Sequence, residues 1–209
     1  MSTIVGKSVV NSPPNSGRAL DPRVRRTRVL LHDALLLLMR TRSFEQISVQ
    51  DVTDEATVNR ATFYAHYEDK SALLASATTA AFHQLIDERA ISFDGTCESA
   101  LRKMYLGVCD YLASAGTSEC GRERPIDPHM AAAIVEVVRR MVLDSHPGSE
   151  VASISIDMIA STIAHAVYGA ARSWLITPQR GPAEANAAAA AALISPLLHP
   201  SAGPKAVQM

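Results

Sequence analysis

The chain has 209 residues, 47% of them hydrophobic, and a formal net charge of −1. That is enough apolar content for a sizeable core, and too nearly neutral for a general polyanion binder. Three cysteines, Cys97, Cys109 and Cys120, make neither an even set nor a metal-ligand spacing, and no run is long and apolar enough to span a membrane, so a reducing cytoplasm is the expected home.

Residues 1–22 are expected to be a disordered arm: Ser12-Pro-Pro-Asn-Ser-Gly17 shows little hydrophobic patterning, and the apolar core of a signal peptide is missing. At its end Arg18, Arg23, Arg25, Arg26 and Arg28 face only Asp21. Such a basic cluster either lies along a phosphate backbone, with strongly salt-dependent affinity, or is a solvated leader that touches nothing. Leu31, Ala34, Leu35, Leu38 and Met39 recur at helical spacing and predict a first helix from about Arg23 to Arg42. Leu36 and Leu37 widen its stripe, so the helix is expected to be nearly encircled.

After a break anchored by Phe44 and Ile47, Ser48-Val-Gln-Asp51 has the spacing of a capping box and starts a short helix at Val49, with Val49, Val52 and Ala56 inward. Two turns are too short to stand alone, so this helix needs neighbours. Asn59 is a suitable N-cap for a third helix, placing Arg60, Ala61 and Thr62 in its first turn. Val58, Phe63 and Tyr67 can face inward together, leaving Arg60, Ala61, Tyr64 and His66 outside. The pattern is that of a helix-turn-helix, whose second helix lays side chains in a DNA major groove. Lys70 opens a fourth helix, near a positive helix end where a phosphate oxygen is favourable.

The run Val58-Asn-Arg-Ala-Thr-Phe-Tyr-Ala-His-Tyr67, with Lys70 three residues on, resembles the TetR family of bacterial transcriptional regulators over about Arg25 to Leu74. The resemblance implies that Ser48, Thr62, Tyr64, His66 and Lys70 grip phosphates, and that Gln50, Arg60, Ala61 and Tyr64 approach bases. With the cap Asn59 and the basic residues Arg25 and Arg28, these make the expected DNA-binding set. Two positions depart from the family pattern. Thr57 stands where the turn usually has Gly, a strain of about 1 kcal/mol or more at positive φ. Thr53 replaces the usual Ala and would set the second and third helices slightly farther apart.

Downstream the pattern stays helical: Lys70 to about Arg89, Cys97 to Ala115, a loop from Gly116 to Pro128, His129 to Ser145, Glu150 to Ile176 and Pro182 to Leu198. The expected fold is therefore all-α with about nine helices: a helix-turn-helix DNA-binding domain at 23–68, a helical regulatory and dimerisation domain at 69–199, and a flexible tail at 200–209. Small residues Ala160, Ala164, Gly169, Ala188, Ala191 and Ala192 on the last two helices suit either a tight intrachain pair or a homodimer face. By resemblance the reading is a four-helix dimer interface, since two recognition helices must reach half-sites about 34–36 Å apart.

Family resemblance also implies an inducer cavity among helices four to eight, with Met104, Val108, Tyr111, Met130, Ile134, Met141, Met158, His165 and Trp174 as candidate walls. Each of these apolar residues suits an ordinary core as well. His83, His165 and Asp110 are the polar candidates on apolar helices. No histidine pair with a third ligand, no nucleophile with its base and no phosphate-cradling loop stands out, so no metal, cofactor or catalysis is expected. The expected function is a homodimeric repressor on an inverted-repeat DNA operator, released by a small apolar effector. Its alternatives are a TetR-like adaptor acting through a protein partner and a small helical enzyme.

Overall fold

The first helix begins where the sequence supplies a cap. Asp21 Oδ1 accepts a hydrogen bond from the Arg23 amide at 2.9 Å, and Pro22 opens α1 (Pro22–Leu38) at a position that has no use for an amide proton. The computed structural model describes residues 21–93, 98–116, 126–145, 150–151 and 154–198. Arg18, Cys97, Cys120, most of the expected arm at 1–22 and loop at 116–128, and the tail at 200–209 lie outside the described residues.

Leu31, Ala34, Leu35 and Leu38 form the buried stripe of α1. The helix ends four residues before Arg42, because the Thr41 and Arg42 amides both turn back to the Leu38 carbonyl. Nor is it encircled: Val29, Leu30 and Leu37 are 50%, 41% and 48% exposed, and only one face meets the protein. A 3-10 turn (Phe44–Gln46) leads to α2 (Val49–Glu55) and α3 (Arg60–His66), both seven residues long, and then to α4 (Lys70–Glu88), capped by Asp69 Oδ1 on the Ala72 amide at 2.7 Å.

The remaining described elements are α5 (Glu98–Gly116), α6 (Pro128–Asp144), α7 (Ile156–Ile176) and α8 (Ala183–Ile194), followed by a 3-10 turn (Ser195–Leu197). Eight α-helices are thus described, and the fold is all-α. The expected helix from Glu150 starts late. Backbone pairing of Glu150 with Ser155 and of Val151 with Ile154 makes β1 (Glu150–Val151) and β2 (Ile154–Ser155), a minimal antiparallel pair, and α7 begins only at Ile156. Similarly, Pro196 falls at the start of the closing 3-10 turn, which ends α8 at Ile194 before the expected Leu198.

α4 links the two halves by touching both α1 and α6, while α7 packs on α5 and α6, and α8 on α5. One contiguous core runs from Leu31 and Phe63 through Leu74, Phe82 and Tyr105 to Ile163 and Ala187. At Gly107 a side chain would meet Ile91 Cδ1 at 2.6 Å, so glycine lets α5 approach the segment that follows α4.

Candidate nucleic-acid interface

Two buried rings set the roll of α3. Phe63 is fully buried and Tyr67 is 6% exposed, and together they turn the opposite face of the helix outward. Arg60, Ala61 and Tyr64 are exposed on that face. The Arg60 guanidinium donates to the Tyr64 hydroxyl at 3.3 Å and lies 5.6 Å from the ring centroid. Arg60 and Tyr64 thereby form one cation and aromatic unit, able to offer several donors and an apolar ring to a groove.

The turn before α3 is closed by two backbone bonds. The Thr57 amide donates to Asp54 O at 3.2 Å and the Val58 amide to Thr53 O at 3.0 Å, with Thr57 at φ 55°. This is a Schellman closure built on threonine instead of glycine. Thr53 is buried at 1% exposure and donates its hydroxyl to Gln50 O at 3.0 Å, which satisfies the polar group between helices.

Capping orders both short helices. Asn59 Oδ1 accepts from the Thr62 amide at 2.7 Å and from the Thr62 hydroxyl at 2.9 Å. Ser48 Oγ accepts from the Asp51 amide, while the Asp51 carboxylate accepts from the Ser48 amide and hydroxyl and from Arg42 at 3.0 Å. The Ser48 hydroxyl and amide, then Arg42, hold the Asp51 carboxyl well below the usual carboxylate range. Gln50 is exposed on α2 and donates to Asp54 Oδ1 at 2.7 Å.

Around this face the other expected contacts are distributed unevenly. Arg25 is exposed, His66 is half-buried with its ring 6.5 Å from that of Tyr67, and Arg28 is half-buried with its guanidinium 5.6 Å from the centroid of the Tyr67 ring. Lys70 points inward. Its ammonium donates to Phe44 O at 2.8 Å and Ile47 O at 3.0 Å and lies 4.5 Å from the Phe44 ring centroid. In this arrangement it braces the turn between α1 and α2. Helical spacing marks Lys70 as the opening of α4 but says nothing of carbonyls 23 to 26 residues earlier.

One cluster has no counterpart in the sequence reading. His32 Nε2 is 2.7 Å from the Tyr67 hydroxyl and 3.1 Å from Ser76 Oγ, tying α1, the end of α3 and α4 together. Burial, and then the Arg28 charge, lower the His32 pKa. The only sequence signal was a histidine beside the buried stripe of α1.

Residues 31–77 match the family model of bacterial regulatory proteins of the tetR family. The match covers the helix-turn-helix, from within α1 to within α4. The chain is 34% identical over 76 residues to an uncharacterized HTH-type transcriptional regulator, YxbF, of Bacillus subtilis strain 168. That match covers 36% of the chain and 20% of the length of YxbF. Among solved structures it is similar to a TetR transcriptional regulator from Streptococcus agalactiae 2603V, with TM-score 0.53 and 22% identity over 82% of this chain and 95% of that one. A TetR-family regulator from Streptomyces coelicolor matches with TM-score 0.53 and 18% identity over 83% of this chain and 80% of that one. The TetR family repressor AlkX from Dietzia sp. strain DQ12-45-1b gives 0.51 and 20% over 87% and 97%. At these identities the structural likeness is one of fold.

In the rest of this TetR-type fold, the expected effector walls separate into three groups. Met104, Val108 and Ile134 are at most 2% exposed and fill the core. Tyr111 and Met130 are buried and also line a cleft, while Met141 and Trp174 are half-buried. Met158 is 63% exposed, and His165, exposed with its ring N–H donating to Ser161 O at 2.8 Å, lines an open hollow of about 350 Å³ between α6 and α7. His83 is exposed too, and Asp110 pairs with Arg89 at the end of α4.

The small residues divide the same way. Ala160, Ala164 and Ala191 are at most 1% exposed and pack within the chain, which corrects their assignment to a dimer face. Gly169, Ala188 and Ala192 are exposed. Among the described residues no helix is long and apolar enough to cross a membrane, and no cluster of His, Cys, Asp or Glu could hold a metal ion.

Proposed function

We propose that the chain acts as a homodimeric repressor that binds an inverted-repeat DNA operator through α3 and is released by a small-molecule effector. The outward Arg60, Ala61 and Tyr64 face of a capped, rigidly rolled helix carries this reading. Gln50 adds a base-reaching side chain from α2, while Ser48, Thr62, His66, Arg25 and Arg28 supply polar and cationic groups for phosphates. Lys70 serves this interface as a brace.

Dimerisation is supported by α7 and α8. Met158, Thr162, His165, Gly169, Arg172 and Ile176 are all exposed, at alternating spacings of four and three residues along α7. That is a seam of 3.5-residue period, the pattern of helices that pack on helices. Ala188, Ala192 and the 80% exposed Leu193 continue the outward surface on α8. Repression then follows from occupancy of the operator, and an effector acts by binding one arrangement of the two recognition helices better than the other.

Selection of bound DNA from a random pool tests the reading: a single palindromic site is expected. On that site the Arg60→Ala, Tyr64→Ala double variant should bind at least ten-fold more weakly with an unchanged circular dichroism spectrum. Absence of enrichment, or wild-type affinity in the double variant, would overturn it.

A further inference from the structure

An open cleft of about 810 Å³ lies on the seam between the DNA-binding helices and the rest of the chain. Leu36 and Leu37 of α1 form one wall, and Ala81 of α4, Tyr111 of α5 and Met130 of α6 form the other. A smaller hollow of about 270 Å³ shares Met39, Ala115 and Met130 with it and extends towards Phe44. This explains why Leu37 is 48% exposed although it belongs to an apolar helix: it faces space, not protein. Val108 and Ile134, two of the expected effector walls, are meanwhile fully buried in the core.

Two charged side chains line the cleft, Asp33 and Arg40. Asp33 makes no hydrogen bond or ion pair among the described residues, whereas Arg40, the cleft's cation, is already partnered. Tyr111 adds an aromatic ring held edge-on against Phe82, 5.3 Å between centroids. A free carboxylate, an aromatic wall and apolar surroundings are the complement of a cation with a hydrophobic body. We propose that this seam cleft binds an organic cation of that class, with its charge towards Asp33 and its apolar body between α1 and α4–α6. Its role as the effector rests on the regulator reading above. Because the occupant touches α1 on one side and α4, α5 and α6 on the other, it favours one setting of the seam over others and so biases the DNA-binding helices.

The test is calorimetric titration of the full chain with tetraphenylphosphonium and with the nearly isosteric anion tetraphenylborate. Phosphonium is expected to bind at least ten-fold tighter than borate. Asp33→Asn should abolish that preference, and Ala81→Phe, which fills the cleft, should weaken phosphonium binding at least ten-fold. If Ala81→Phe does not fold, Leu37→Trp fills the cleft from its exposed side and carries the same expectation. Binding of neither ion, equal or inverted preference, or a preference that survives Asp33→Asn would overturn the site. Operator affinity measured with and without phosphonium separates the two readings. Cleft-dependent binding that leaves operator affinity unchanged keeps the site and removes its effector role, whereas a fall in affinity supports both.

Discussion

Thr57 holds a β-branched side chain at φ 55° because closing the turn between α2 and α3 requires a left-handed residue after Ala56. The two hydrogen bonds of that closure orient α3, so the strain is retained locally. Thr57→Gly should therefore raise stability by about 1 kcal/mol, the relief of strain outweighing the larger entropy of glycine in the unfolded chain. A rise in the urea midpoint at unchanged slope would show it; a fall would mean that the threonine side chain stabilises the turn. At His32 the expected effect depends on pH. Its folded pKa is lowered from 6.5, so the unfolded chain takes up the proton first. The contribution of neutral His32 is fully present above that ordinary value and is lost as pH falls towards the lower folded pKa. Urea midpoints should drop between about pH 7 and pH 5, and His32→Gln should drop less; equal losses would remove His32 as the cause. The Asp51 carboxyl, also depressed, loses its contribution below 3.8 and so acts outside that window.

At the scale of elements, the turn between α1 and α2 depends on Lys70 from α4. Three carbonyls, Phe44, Glu45 and Ile47, converge on its ammonium, which also covers the Phe44 ring. Hydrogen bonds from a charged donor are worth about 1.5–3 kcal/mol each at the upper end, and partial exposure reduces this. Lys70→Met is expected to destabilise by about 2 kcal/mol while leaving the salt dependence of operator binding unaltered. A stable variant whose salt slope falls by about one would instead make Lys70 a phosphate contact. This case also marks the limit of the sequence. The capping box from Ser48 to Asp51, the Asn59 cap and the inward spacing of Phe63 and Tyr67 were legible because each acts over a few residues. Lys70 was legible as a helix start, but its partners lie across the fold. The same limit applies to α1, where Leu36 and Leu37 extended the apolar stripe by spacing alone; whether a leucine meets protein or a cleft depends on where α4 to α6 pack.

For the whole molecule the question is which surface remains once the chain has packed on itself. Alanine spacing singled out α7 and α8 but could not orient them, since alanine suits a buried contact, an exposed helix face and an interface equally. Folding settles the division: Ala160, Ala164 and Ala191 are consumed inside, and the outer face keeps Gly169, Ala188 and Ala192. That face also leaves Ile176 66% and Leu193 80% exposed, an arrangement that costs solubility unless another helix covers it. A second copy offers the same stripe in reverse, which is how a two-fold interface closes. The Ile176→Lys, Leu193→Lys double variant is suited to test this, because neither side chain contributes to the monomer's core. Sedimentation at micromolar concentration should show a dimer for the wild type and a monomer for the variant, with similar thermal unfolding of each folded chain's helices. Operator affinity should then fall at least a hundred-fold, since each monomer would hold one half-site without the second about 34–36 Å away. A variant that still sediments as a dimer would place the interface elsewhere on the surface.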